Sequence, residues 1–277
     1  ECPSQSFHVA THACQKDAVG MGNMGYAILQ GVLSKYAKED LIFSSKSQEK
    51  KERIKTKTGV DYTEDNASLA KNCEILVLAI KPQMYDTVFL EIAKDMPSGQ
   101  VVISLAPGKS IDELKSKLGD DKRIVRAMPN TPALLGESMT GISWIADEFS
   151  KVEKEGLIAL FDSFGKSVVV EERLMDAVVS VSGSSPAFAY MFIDALADAG
   201  VKYGLKKSEA IQMAAQTLLG SAKMVLKSGE HPAVLKDKVC SPGGTTIAGV
   251  AALEESGFRA SILAGAEAVY QKCTKIK

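Results

Sequence analysis

The sequence predicts an α/β chain with an N-terminal doubly wound parallel sheet and a wholly helical second part. Three observations predict it. Gly20, Gly22 and Gly25 fit G-x-G-x-x-G at the mouth of a helix that continues Tyr26-Ala27-Ile28-Leu29. Short apolar runs then alternate with helical patterns, as buried parallel strands and their crossover helices do. From about Glu171 onward the periodicity is helical throughout. A chain of 277 residues has room for two domains, and the change of pattern sets them at 1–170 and 171–277.

Taken in order, residues 1–18 lack the apolar strand expected directly before a glycine turn. Gln15-Lys16-Asp17 stand there, and Phe7, Val9 and Ala10 lie too far upstream. No function is built on this segment. In the turn itself Gly20 bends the chain, Gly22 admits a pyrophosphate and Gly25 packs helix on strand, with Met21, Asn23 and Met24 between them. The next strand, Leu41-Ile42-Phe43, ends in Ser44-Ser45-Lys46. NAD enzymes place an acid about 20 residues past the fingerprint to hold the ribose 2′-OH. Ser45 and Lys46 stand there instead, and a hydroxyl beside a cation suits a 2′-phosphate, so the expected cofactor is NADPH, with NADH possible. The bland alternative is a helix N-cap followed by surface lysines.

Strands at Ile75–Ile80, Val101–Ile103 and Ile124–Val125 follow. Each ends in a loop rich in Pro, Gly and small residues: Ala79-Ile80-Lys81-Pro82, Ser104-Leu105-Ala106-Pro107-Gly108 and Met128-Pro129-Asn130-Thr131-Pro132. One such loop is punctuation. Three at successive strand ends mark the carboxyl edge where open α/β sheets bind ligands, and add Ala79, Ile80, Lys81, Pro82, Ala106 and Asn130 as cofactor candidates.

In the helical part, Ser185-Pro186 reads as an N-cap with proline at the first helical position. Phe188, Met191, Phe192, Ala195 and Leu196 then recur at helical spacing. Alanines fill much of the rest, so this helix is apolar nearly all round and is expected to be buried in its domain or against a second subunit. Gly204 stops it; helices at Ile211–Leu226, Val234–Val239 and Ile262–Tyr270 follow.

The stretch Val239-Cys240-Ser241-Pro242-Gly243-Gly244-Thr245-Thr246 is the most specific in the chain. Pro242 makes Ser241 extended, and Gly243 and Gly244 let backbone approach a ligand. Thr245 or Thr246 is expected to cap a helix that turns Ile247, Val250, Ala251 and Leu253 toward a core. Free N–H groups flanked by hydroxyls suit a small carboxylate; the alternative is an ordinary capped loop.

Composition narrows the class. The chain is 45% hydrophobic and 24% charged, with net charge −1, an ordinary globular balance with no basic footprint for nucleic acid. The basic run Lys46–Lys57 also carries Glu49 and Glu52 and reads as a solvated helix face. No apolar run approaches the ~20 residues of a membrane span. The five cysteines are scattered without C-x-x-C, which points to reduced thiols and a cytoplasmic setting. His8 and His12 are spaced i, i+4, but no third ligand is near and no metal is expected.

These motifs resemble those of the pyrroline-5-carboxylate reductases over roughly residues 19–275. The resemblance rests on Gly20–Gly25, Ala79-Ile80-Lys81-Pro82-Gln83, Met128–Pro132, Val181-Ser182-Gly183-Ser184-Ser185-Pro186-Ala187-Phe188 and Asp194–Gly200, and above all on Leu235–Leu253. It implies a Rossmann-type domain, a helical dimerisation domain, dimers or larger homo-oligomers, and NAD(P)H. It places cofactor contacts on Gly20, Gly22, Asn23, Met24, Ser45, Asn66, Ile80, Lys81 and Ala106. It places a cyclic imine carboxylate on Glu172, Ser241, Gly244, Thr245 and Thr246, beside Gly243. Pro107 and Lys238 depart from the alanine and asparagine more usual in the family, as does the missing first strand.

The chemistry this implies suits the residues. A protonated cyclic imine accepts hydride readily, so positioning matters more than a strong base. Outside residues 1–18 the chain has a single histidine, His231. Thr246 is the candidate catalytic residue, hydrogen-bonding the imine nitrogen or relaying a proton from water. Two rivals remain. A β-hydroxyacid dehydrogenase-like enzyme needs a lysine in the second domain, for which Lys223 is best placed. A protein of another kind senses NADPH without turnover.

Overall fold

The structure, a computed structural model, describes residues 22–275. Gly20, Met21, His8 and His12 lie outside the described residues. The first part runs α1 (Asn23–Leu33), β1 (Ile42–Phe43), α2 (Gln48–Thr58), β2 (Asp61–Tyr62), α3 (Asn66–Lys71), β3 (Ile75–Leu78), α4 (Tyr85–Ile92), β4 (Val101–Ser104), α5 (Ile111–Leu118) and β5 (Arg123–Met128). It continues through β6 (Ser138–Trp144), α6 (Lys151–Phe161), β7 (Gly165–Val169) and α7 (Met175–Val178). Ser47, Asp65, Ser110 and Ser150 begin α2, α3, α5 and α6 by accepting the N–H three residues on. Each satisfies a donor that the helix itself leaves free.

Among the described residues, strands β3 to β7 form one sheet in sequence order and β1 pairs in parallel with β2. Alternation along each strand divides the core. Ile75, Val77, Val101, Ile103, Val125 and Ala127 face α1 and α6, whose Leu29, Val32, Leu160 and Phe161 are buried with them. Leu76, Leu78, Val102 and Ile124 face the opposite side, against Leu69 of α3, Tyr85 and Val88 of α4 and Leu114 of α5. Helices thus cover both faces, as a doubly wound sheet requires.

The sheet departs from the all-parallel expectation at one junction. β5 and β6 run antiparallel, with Val125 opposite Trp144 and Met128 opposite Gly141. Residues 129–137 hold only a short 3₁₀ turn, Thr131–Leu135. A parallel return needs about a dozen residues or more, so this connection must reverse the chain. The crossover through α6 then restores parallel pairing between β6 and β7.

The helical part comprises α8 (Ser185–Lys202), α9 (Lys207–Ser228), α10 (Pro232–Val239), α11 (Thr245–Glu255) and α12 (Phe258–Thr274). By packing, the described residues divide into one compact unit of residues 22–184 with 269–275 and another of 185–268. That division falls later than the change of pattern at 170/171. Met175 and Val179 are buried with Met128 in the first unit, together with Cys273 near the chain end. In the second unit α8 and α9 pack on small residues, with Ala197, Ala210 and Ala214 buried. A Cβ on Gly200 would come within 2.9 Å of the Ala210 Cβ. Gly204, with φ +98°, turns the chain between them.

One expectation for the helical part is corrected and one is narrowed. Ser185 is not a flanking N-cap but the first residue of α8. The chain enters from a π-turn, Val179–Gly183, closed by Ser184 N–H donating to the Val179 carbonyl at 2.8 Å. It therefore arrives already helical. Within the chain α8 is largely open, with Ala197 its one buried residue and Met191 70% exposed, which leaves the second of its two expected settings, against another subunit. Among the described residues no helix is long and apolar enough to cross a membrane.

Candidate active site

The first unit gathers its candidates at the carboxyl ends of its strands. α1 begins at Gly22, which supplies no side-chain cap; a Cβ built there would meet nothing within 4 Å among the described residues. Among the described residues no side chain caps the first N–H groups of Asn23 and Met24, an arrangement that suits an anion. Gly25 is buried, consistent with its packing role.

At the end of β1, Ser44 Oγ donates to Asn66 Oδ1 at 3.0 Å, and the Asn66 amide reaches Glu91. Ser45 is buried and its Oγ has no partner among the described residues, while Lys46 is exposed. The cap of α2 is Ser47. Ser45 is therefore not the helix cap of the bland reading, and its hydroxyl is a buried donor awaiting an oxygen. An orphaned hydroxyl beside a lysine, together with an uncapped glycine helix start, fits an NADP-type cofactor.

β3, β4 and β5 are parallel neighbours, so their ends lie side by side. Ala79 is half-buried, Ile80 buried and Lys81 exposed, and Pro82 opens a 3₁₀ turn, Pro82–Met84. Beyond β4, Ala106 is buried and its N–H donates to Ser104 Oγ at 3.4 Å. Ser104 Oγ lies 2.9 Å from the Tyr85 hydroxyl, whose pKa burial pushes up to about 12, so it stays neutral. Asn130 is buried, and its side chain is engaged by protein: Nδ2 donates to the Ser182 carbonyl and Oδ1 accepts from Met139 N–H, both at 3.0 Å. It braces the strand end rather than presenting a free amide.

Glu172 stands beyond β7. Its Oε1 accepts from Ile111 N–H at 2.7 Å and from Arg126 Nη1 at 3.0 Å. Arg126 is buried and its Nε has no partner among the described residues. Sequence reasoning passed over both Arg126 and Tyr85. The available signal for Arg126 was a lone cation inside the apolar run Ile124–Met128.

In the second unit, the loop after α10 is a tight turn closed by Gly244 N–H donating to the Ser241 carbonyl at 3.0 Å. Gly243 has φ +67°, the left-handed geometry a Pro-Gly turn demands of its third residue. Gly244, not Thr245 or Thr246, is the N-cap of α11, and it supplies no side-chain cap. Thr245 and Thr246 are the first two helical residues, both exposed, so their N–H groups and hydroxyls stand free at the positive end of the helix. A Cβ on Gly244 would collide with Ser241 Oγ and lie 3.1 Å from the Ser241 carbonyl oxygen. The face expected to point at a core is open within the chain, where Ile247 and Leu253 remain exposed.

Comparison with known proteins gives these features a family. Residues 172–276 match the family described as pyrroline-5-carboxylate reductase dimerisation, and residues 18–108 match NADP oxidoreductase, coenzyme F420-dependent. The pyrroline-5-carboxylate reductase of Escherichia coli (strain K12) is 40% identical over 260 residues, 93% of this chain and 96% of that protein. A pyrroline-5-carboxylate reductase structure from Coxiella burnetii matches with TM-score 0.89 at 29% identity, over 99% of each chain. A Plasmodium falciparum pyrroline carboxylate reductase with NADP bound matches with TM-score 0.84 at 31% identity, over 98% of each. An identity of this size held along nearly the whole length, on a shared fold, leaves one assignment: the chain belongs to the pyrroline-5-carboxylate reductase family.

Proposed function

We propose that the free N-terminus of α11 holds the carboxylate of 1-pyrroline-5-carboxylate while its C=N bond is reduced to give L-proline. The reaction is that of the family: an oxidoreductase step using NAD(P)H, the last in proline biosynthesis. The observation that carries the carboxylate assignment is an uncapped helix start, at Gly244, behind a Pro-Gly turn bearing Ser241. Backbone N–H groups at Thr245 and Thr246 bind the anion, the bare Gly244 lets it approach, and Ser241 adds a hydroxyl. Thr246 aligns the ring nitrogen through its own hydroxyl and relays a proton to it from water. NAD(P)H, when bound, would supply the hydride that the imine carbon takes up.

In the first unit, Gly22, Asn23, Met24 and Gly25 cradle the pyrophosphate, and the G-x-G-x-x-G spacing assigns Gly20 and Met21 to the same role. Ser45 and Lys46 receive a 2′-phosphate, giving a preference for NADPH, and Asn66, Ala79, Ile80, Lys81, Pro82 and Ala106 line the remaining cofactor path. Residues 171–277 serve dimer formation as well as substrate binding. Cys73, Cys240 and Cys273 are free thiols, which suits a reducing, cytoplasmic setting.

The test is consumption of NADPH by the purified chain with 1-pyrroline-5-carboxylate, followed by absorbance, with proline identified as product. Turnover of a 3-hydroxyacid without imine reduction would establish the dehydrogenase reading, in which Lys223, exposed on α9, would act. NADPH binding without turnover of either would establish a sensor.

A further inference from the structure

We infer that Arg126 and Glu172 are positioning residues for the cofactor, acting through the Leu105–Ser110 loop that joins β4 to α5. The inference rests on the NAD(P)H reading above and gives these side chains a role apart from substrate contact. One carboxylate oxygen, Glu172 Oε1, receives both Ile111 N–H and the Arg126 guanidinium, at 2.7 and 3.0 Å. Ile111 is the first residue of α5, and its N–H has no partner within its own helix. Glu172 therefore ties down the start of α5 from across the fold. Its negative charge also lies where the helix dipole favours an anion.

The other end of the loop is held too. Ala106 N–H donates to Ser104 Oγ, which pairs with the buried Tyr85 hydroxyl. Between these anchors lie Pro107 and Gly108, the latter at φ +75°. The loop carrying Ala106 is thus pinned at both ends before any ligand arrives.

Stability alone does not account for the pair. The side chain of Arg126 is 8% exposed, and taking a guanidinium out of water is costly. An apolar pair of similar volume would pack as well or better. An ionic pair supplies direction, and here the direction leads to one backbone N–H. A loop ordered in advance binds its ligand with less loss of conformational freedom. Glu172 Oε1 is also committed twice to protein, which argues against its being chiefly a substrate contact.

The experiment uses the full chain with Glu172→Ala, Glu172→Gln and the double variant Arg126→Met/Glu172→Ala. Three quantities are read: NADPH Kd by fluorescence titration, KM for the imine at saturating cofactor, and amide exchange of residues 105–113 without ligand. Glu172→Ala should raise NADPH Kd on the order of ten-fold, the scale of one lost charge-assisted hydrogen bond. The imine KM should stay within about two-fold, as for an uncoupled site. The Ile111 amide should exchange faster. Glu172→Gln keeps an acceptor oxygen in place and should restore most of the affinity. If the lone buried Arg126 prevents Glu172→Ala from folding, the double variant removes that charge and carries the same readouts. An unchanged NADPH Kd, or a rise confined to the imine KM, overturns the inference. Failure of the wild type to reduce the imine overturns the functional reading instead, and Ile111 exchange still decides whether the clamp exists.

Discussion

Asn130 and Ser182 lie 52 residues apart in sequence and are joined by one hydrogen bond, from the Asn130 amide to the Ser182 carbonyl at 3.0 Å. Ser182 sits inside the π-turn Val179–Gly183, and the Asn130 side-chain Oδ1 accepts from the Met139 N–H. One side chain therefore fastens the end of β5 to β6 and to the π-turn. Asn130→Ala leaves a backbone donor and a backbone acceptor without partners. It should cost about 2 kcal/mol in urea unfolding, since a buried unpaired polar group costs roughly 1–3 kcal/mol. The NADPH affinity of the folded protein should fall less than about ten-fold. Wild-type stability with cofactor binding lost would return Asn130 to direct contact.

If Ser45 receives the 2′-phosphate as proposed, it sets the cofactor preference. Because Ser47 caps α2, the buried Ser45 hydroxyl is free to meet a 2′-phosphate. The wild type should show higher kcat/KM with NADPH than with NADH. Ser45→Asp should lower the NADPH-to-NADH ratio on the order of ten-fold or more by like-charge repulsion. A wild type that prefers NADH at saturating imine would refute the reading of this strand end.

Much of this was legible because buried parallel strands announce themselves as unbroken apolar runs. Ile75–Leu78 and Val101–Ser104 were visible for that reason. β6 was not. Its Ser138, Thr140 and Ser143 are buried polar residues, and Ser138 and Thr140 bond each other through their hydroxyls at 3.2 Å. Buried hydroxyls that find partners inside the sheet erase the apolar signal on which strand reading depends. The site divides similarly. Glycine and proline spacing marked the α1 start and the Ser241–Gly244 turn, because local backbone geometry demands those residues. The Arg126–Glu172 pair was invisible because its partners come together only through the tertiary fold.

The helical part makes a prediction about assembly. Met191 on α8 and Leu263 on α12 are each 70% exposed in the single chain. Val250, Leu253, Phe258, Ile262 and Leu263 line an open groove of about 490 Å³. A dimerisation domain leaves such surfaces to be covered by a second copy. Met191→Glu or Leu263→Glu should then yield a folded monomer, with unchanged circular dichroism and halved mass by light scattering. Because these side chains are exposed in the protomer, the change should weaken assembly far more than folding. A wild-type mass in both variants would place the interface elsewhere.

Acid stability depends on Glu153. Its carboxylate pairs with Arg123 and closes the capping box of α6 with Ser150. The Arg123 hydrogen bond, with help from Ser150, lowers its pKa from 4.5 to about 2. A carboxyl depressed on folding contributes stability fully above its unfolded pKa and loses it as pH falls through the folded one. The advantage of wild type over Glu153→Gln should therefore be constant above pH 4.5 and vanish between pH 4.5 and about 2. With both side chains 29% exposed, solvent screening limits it to about 1 kcal/mol. Urea unfolding of both proteins across that range measures it, and a difference independent of pH would show that the ion pair contributes nothing.

The substrate loop gives the sharpest prediction. If the carboxylate rests on the N–H groups at the start of α11, the required geometry is a bare Gly244 and an unobstructed Ser241. A Cβ at Gly244 collides with Ser241 Oγ, so Gly244→Ala already displaces one proposed ligand, and Gly244→Val blocks the approach. Gly244→Val should raise the imine KM by a hundred-fold or so, about 2.7 kcal/mol, which is the scale of one or two charge-assisted hydrogen bonds. NADPH Kd should remain close to wild type, since the first unit is untouched. Thr246→Ala should lower kcat and kcat/KM together, the signature of an interaction made chiefly in the transition state. Proline should slow amide exchange at Thr245 and Thr246, whereas pyrrolidine, which keeps the ring nitrogen but lacks the carboxylate, should not. Thr246→Ala with wild-type kcat and kcat/KM would remove the catalytic role. Equal protection by pyrrolidine would remove the carboxylate site, and the uncapped helix start would then be only the end of a turn.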